Sequence, residues 1–127
     1  MGRYRATRPP ISAICLNSDP TALTCIANDF GYAEVFARQV EGLGRAGDVL
    51  VAFSTSGKSP SILAALERAS GRGVTTIGLL GPTGSPAEAH CDLALTFPVQ
   101  IASSHVQELH LAVIHLVLER FESSASG

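Results

Sequence analysis

A chain of 127 residues with a net charge of −2 is one domain's worth of sequence, enough for a single core. That charge excludes a broad basic surface for nucleic acid, and no apolar run reaches bilayer-spanning length. MGRYRATRPP is basic but leads into no apolar h-region, so it does not read as a signal peptide; three cysteines without a CxxC pair read as reduced core thiols of a cytoplasmic protein.

Residues 1–10 are polar, end in Pro9-Pro10 and read, standing alone, as a disordered tail. Ile11 to Leu16 reads as a short strand. Asp19-Pro20 pairs a cap residue with a first-turn proline, so a short helix is expected from Thr21 to Ala27, ended by Asn28-Asp29-Phe30-Gly31. Tyr32 to Leu43 reads as a second helix with Val35, Phe36, Val40 and Leu43 on one side. Gly44-Arg45-Ala46-Gly47 turns into a strong apolar strand, Val49 to Phe53.

That strand empties into Ser54, Thr55, Ser56 and Gly57, with Ser59 two residues on and Pro60 opening an apolar-periodic helix. Strand, hydroxyl-rich turn and helix start together make an anion site. The first helical N–H groups lack backbone partners and carry partial positive charge, while the hydroxyls add donors. A phosphate cradle is one reading, and a turn that only caps the next helix is the other. Gly57-Lys58-Ser59 echoes a P-loop, but that motif needs a glycine where Ala52 stands inside the strand, so nucleoside triphosphate binding is rejected.

Ser70-Gly71-Arg72-Gly73 closes this helix; Val74 to Leu80 and Asp92 to Phe97 read as further strands, with Ser85 to His90 as one or two helical turns between them. Ser103 or Ser104 caps a last helix running to about Phe121, and residues 123–127 read as a frayed tail. Strands alternating with helices predict an α/β fold, a parallel sheet of about four strands (11–16, 49–53, 74–80 and 92–97) flanked by helices. Ligands of such sheets bind beyond the carboxyl ends of the strands. Asp19 follows the first of them and either approaches the same ligand or simply caps its helix. On the last helix Gln107, Leu111 and His115 step by four, which separates Gln107 from His115 by roughly 12 Å of rise. Alone, they read as polar residues of a solvent face, short of the ligand number a zinc site needs.

Three blocks, NDFGYAEVFARQVEGL at 28–43, GDVLVAFSTSGKSPSIL at 47–63 and VQELHLAVIHL at 106–116, resemble the phosphoheptose isomerases of the sugar isomerase (SIS) domain superfamily in order and spacing. The resemblance implies a SIS-type, Rossmann-like domain over 11–122 and a cytoplasmic homotetramer with active sites at subunit interfaces. The implied enzyme of carbohydrate metabolism is an isomerase that interconverts sedoheptulose 7-phosphate and D-glycero-D-manno-heptose 7-phosphate. It implies that Ser54, Thr55, Ser56 and Ser59 contact phosphate and sugar, that Asp19 and Arg3 lie near substrate, and that Gln107 and His115 are ligands of a possible zinc ion. His115 is also implied as the catalytic acid/base. The family's pattern begins further upstream, with a first strand, a Gly-Asn-Gly-Gly-Ser-type phosphate loop and a helix bearing a metal-binding His and a catalytic Glu. This sequence has no counterpart of them, and its residues 1–10 look like the remnant of that helix. The expectation is one half of an active site, belonging to a longer natural protein or to an inactive truncated phosphosugar-binding fragment. The competing non-enzymatic reading is a SIS scaffold that binds the DnaA replication initiator. That relative carries Asn in place of His115 and Arg in place of Ser56, so both residues favour the isomerase.

Overall fold

A computed structural model describes residues 4–98 and 100–125, the side chains of Ser124 and Ala125 excepted. Seven regular elements follow one another: α1 (Pro20–Phe30), α2 (Ala37–Leu43), β1 (Val49–Ser54), α3 (Pro60–Ser70), β2 (Thr75–Pro82), β3 (Leu93–Phe97) and α4 (Ser103–Ala125). Short 3-10 turns lie at Tyr32–Glu34 and Pro86–His90. The three strands form one parallel sheet in the order β1-β2-β3.

The sheet is parallel because α3 carries the chain back between β1 and β2, which places Val51 beside Ile77 and Ala52 beside Gly78. One face is covered. Ala52 of β1 and Leu80 of β2 pack against Leu66 of α3 and Ala87, while Val40 of α2 packs with Ala65, Ala69 and Val74. The α3 helix starts where the sequence places it, with Pro60 at its first position and Ser59 before it.

Three strands form the sheet among the described residues, against about four expected. Residues 11–16 pair with no strand, and Ile11 and Ile14 are exposed. Strand-forming residues stay in a ladder only when a neighbour takes their N–H and C=O groups. Here the carbonyl of Cys15 is taken by the N–H and hydroxyl of Ser18 in a local turn, and that of Leu16 by the Gln39 side chain. The expected helix over 32–43 is broken into a 3-10 turn and α2, and α1 runs three residues past Ala27. The α4 helix reaches Ala125, so residues 123–125 are helical and not a frayed tail. Cys15 and Cys25 are exposed and Cys91 is half-buried; all three are free, but the first two are not core thiols.

The other face of the sheet is only partly covered, by α4 against β2. Val49, Val51 and Phe53 of β1 and Leu93 and Leu95 of β3 remain exposed. Leu111, Leu116, Val117 and Phe121 of α4 are exposed as well. Among the described residues no helix is long and apolar enough to cross a membrane.

Candidate functional site

The turn after β1 is held open by its own side chains and by two close approaches. Ser54 Oγ accepts the Gly57 N–H at 3.0 Å, and Ser56 Oγ accepts the Lys58 N–H at 3.2 Å. A hydroxyl that accepts one bond still has its own proton to donate, so both O–H groups remain donors for an incoming anion. Gly57 has φ +61°, and a Cβ there would fall 2.2 Å from Ser85 Oγ, so only glycine fits. On the β2 side a Cβ at Gly81 would meet the Thr55 carbonyl oxygen at 1.9 Å, which shows how closely the strand end backs the turn.

Ser59 occupies the N-cap position of α3, yet its hydroxyl makes no capping bond to the helix. It sits 3.2 Å from Ser61 Oγ, while its carbonyl accepts the Ile62 and Leu63 N–H groups at 3.0 Å. Ser54, Thr55 and Ser59 are half-buried and Ser56 is exposed. The structure therefore brings all four predicted hydroxyls onto one turn at the carboxyl end of β1 and the N-terminal end of α3. Donors, a positive helix end and a backbone with no Cβ in the way suit a phosphate group. Lys58, beside them and exposed, adds the one cationic side chain of the turn.

Asp19 is the N-cap of α1. Its Oδ1 accepts the Thr21 and Ala22 N–H groups at 2.9 and 3.1 Å, which is the capping alternative seen in the sequence. Gln107 and His115 are both exposed on α4, two helical turns apart. The His115 ring stacks on Tyr4, with centroids 5.8 Å apart and planes 26° from parallel. Arg3 lies outside the described residues.

Zinc does not fit these residues by themselves. Gln107 and His115 offer two donors, and among the described residues no group of three His, Cys, Asp or Glu side chains could hold a metal ion.

Two residues of α4 matter more than their sequence context suggests. His110 is buried, and its Nε2 lies 2.9 Å from the Leu80 carbonyl oxygen, near the rings of Phe53 and Phe97. It fastens α4 to the carboxyl end of the sheet. Glu122 is also buried, and its carboxylate accepts the backbone N–H groups of Tyr4, Arg5 and Ala6. Those bonds, the Arg5 N–H foremost, hold it below the ordinary glutamate range, against the opposing effect of burial. The readable signal is spacing: Val106, His110, Ile114, Leu118 and Glu122 step by four and form the covered stripe of the helix.

Other titratable groups serve the frame. Asp92 is lowered by the N–H and hydroxyl of Thr76, which bond its carboxylate and tie β2 to the start of β3. The Cys91 thiol is pushed up by burial and then by Asp92 and Glu88, so it is a weak nucleophile. A groove of about 410 Å³ lies between Glu34, Glu41, Glu67, Arg68 and Arg72, toward the far end of α3 from Ser59. Its Arg68 is already paired with Glu34 and Glu41, so the groove is an ion-pair network with no free welcome for phosphate.

The SIS domain family profile matches residues 1–81. A phosphoheptose isomerase of Bradyrhizobium sp. (strain BTAi1) is 50% identical over 124 residues, covering 98% of this chain and 62% of that protein. One of Akkermansia muciniphila is 42% identical over 127 residues, covering 100% of this chain and 67% of that protein. The structure of a phosphoheptose isomerase from Neisseria gonorrhoeae superposes with a TM-score of 0.81 at 40% identity, over 85% of this chain and 61% of that one.

Proposed function

The chain belongs to the SIS domain family, in its phosphoheptose isomerase branch, and we propose that it forms the phosphosugar-binding part of an aldose–ketose isomerase. The substrate of this reading is sedoheptulose 7-phosphate, and the product is D-glycero-D-manno-heptose 7-phosphate. The chain spans 62% of the Bradyrhizobium relative, so activity and partners are inferred for the whole protein and not read off this part. The observation that carries the proposal is the gathering of Ser54, Thr55, Ser56 and Ser59 around the Gly57 turn at the start of α3.

In this reading the turn holds the phosphate, with hydroxyl protons and helix-end amides directed at its oxygens. Isomerisation moves a carbonyl by one carbon: a proton leaves one carbon, an enediol forms, and a proton returns at the next. His115, exposed on α4, takes or gives a proton on one side of the sugar. The second proton-handling group comes from outside the described residues. Zinc enters only as an ion to which Gln107 and His115 contribute two ligands, the others again coming from elsewhere. Asp19 keeps one carboxylate oxygen, Oδ2, outside its capping bonds for a sugar hydroxyl. The exposed apolar faces of the sheet and α4 support a homo-oligomer, with the tetramer as its expected form, and a cytoplasmic location belongs to the same family reading.

The test is incubation of the whole protein, including the part that carries the second acid/base, with sedoheptulose 7-phosphate, with and without zinc, following aldose formation by NMR. Product is expected, with His115→Ala lowering turnover about 10²- to 10⁴-fold while sugar phosphate still binds. Near-native turnover in that variant would remove His115 from the chemistry. Binding of sugar phosphate by that whole protein without turnover would make it a non-catalytic phosphosugar-binding protein. Capture of the DnaA initiator without turnover would favour the scaffold.

A further inference from the structure

His115 stands on an exposed stretch of α4, and its ring stacks on the Tyr4 ring. Tyr4 belongs to a segment without regular structure, so its position depends on what fixes that segment. Glu122 fixes it. One carboxylate oxygen accepts the Tyr4 and Arg5 N–H groups at 3.2 and 3.0 Å; the other accepts the Arg5 and Ala6 N–H groups at 3.2 and 3.3 Å. Three successive N–H groups turned to one side form a concave anion-binding nest, here occupied by the protein's own carboxylate.

A carboxylate so near the C-terminal end of a helix faces the negative end of the helix dipole, and burial adds to the cost. The nest offsets both, so the carboxylate and the segment hold each other. Glu122 follows His115 by two turns, roughly 10 Å of rise. It therefore reaches the imidazole only through the segment it holds. The Arg5 side chain has other partners: it pairs with Glu119, and its guanidinium lies 5.5 Å from the Tyr4 ring centroid.

We propose that Glu122 and Tyr4 are positioning residues for His115: the Glu122 carboxylate pins the backbone at Tyr4–Ala6, and the pinned Tyr4 ring holds the imidazole in one orientation. This rests on the reading of His115 as the acid/base, since an acid/base group works only when it is aimed at the carbon it serves. A mere fold clamp would use the same hydrogen bonds without needing an aromatic ring on the histidine.

The experiment reads the histidine ring resonances of the full chain by NMR, without substrate. Native chain is expected to show a Tyr4–His115 ring NOE and His115 ring protons displaced by the tyrosine ring current. Tyr4→Leu abolishes that displacement. Glu122→Gln, which turns an amide NH₂ toward the nest's donors, moves the same resonances in the same direction. Glu119→Gln, which removes only the ion-pair partner of Arg5, leaves them in place. Absence of the NOE, or unchanged His115 resonances in folded Glu122→Gln, overturns the proposal. If Glu122→Gln does not fold, the NOE and the half-exposed Tyr4→Leu variant decide. Because these signals need no turnover, a chain that shows them but neither binds nor isomerises sedoheptulose 7-phosphate loses the proposed function and keeps the positioning.

Discussion

Gly57 and Glu122 show how single residues set the geometry around them. At Gly57 the turn takes a left-handed conformation and presses against Ser85. Gly57→Ala therefore meets backbone strain worth about 1–3 kcal/mol, with the Ser85 collision added. The expected outcome is a lower urea midpoint and loss of sugar phosphate binding, read by equilibrium unfolding and by titration. Glu122 makes a pH prediction. Its folded carboxylate is held below the unfolded value of about 4.3, so its contribution is fully present above that value and is lost as pH falls through the folded one. Urea unfolding should show native chain more stable than Glu122→Gln by a constant margin near neutral pH. That margin should shrink on acidification below about pH 4.

Among the elements, β1 and α3 were legible in the sequence because local signals agree there. An apolar run, a cluster of hydroxyls with glycine, then proline and helical periodicity all point to one strand–turn–helix unit, and the four hydroxyls of the site come with it. The segment 11–16 misled because strand propensity says nothing about whether a neighbour is present to pair with. On α4 the sequence did not show what the covered stripe meets. Its covered stripe includes His110 and Glu122, two polar residues whose partners, the Leu80 carbonyl and the amides of 4–6, lie far away in sequence. The α3 N-terminus carries a prediction of its own. Removing a capping hydroxyl ordinarily costs about 0.5–2 kcal/mol, but the Ser59 hydroxyl bonds Ser61 and not the helix. Ser59→Ala removes no helix cap but takes away the partner of the buried Ser61 hydroxyl, so it should cost about 1–3 kcal/mol of stability and weaken sugar phosphate binding about tenfold, as loss of one charge-assisted hydrogen bond requires. Unfolding and calorimetric titration of the same variant separate the two effects.

Across the whole molecule, the Ser54–Ser59 turn lies on a well-packed frame while the opposite sheet face is apolar and only partly covered. Val49, Val51, Phe53, Leu93 and Leu95 share that face, and α4 adds Leu111 and Leu116. Scattered exposed apolar side chains are ordinary, but a set on one sheet face is a surface for association. Such a surface suits a site assembled from more than one piece: hydroxyls from the Ser54–Ser59 turn, an imidazole from α4, and a second acid/base from elsewhere. The turn lies wholly within this chain and can be tested alone. The most direct measurement follows backbone amide signals while the chain is titrated with sedoheptulose 7-phosphate and, separately, with unphosphorylated sedoheptulose. Saturable shifts centred on Ser56, Gly57, Ser59 and Ser61 with the phosphorylated sugar alone are the predicted result. Silence in that turn at saturating sugar phosphate, or equal shifts with the free sugar, would contradict the account.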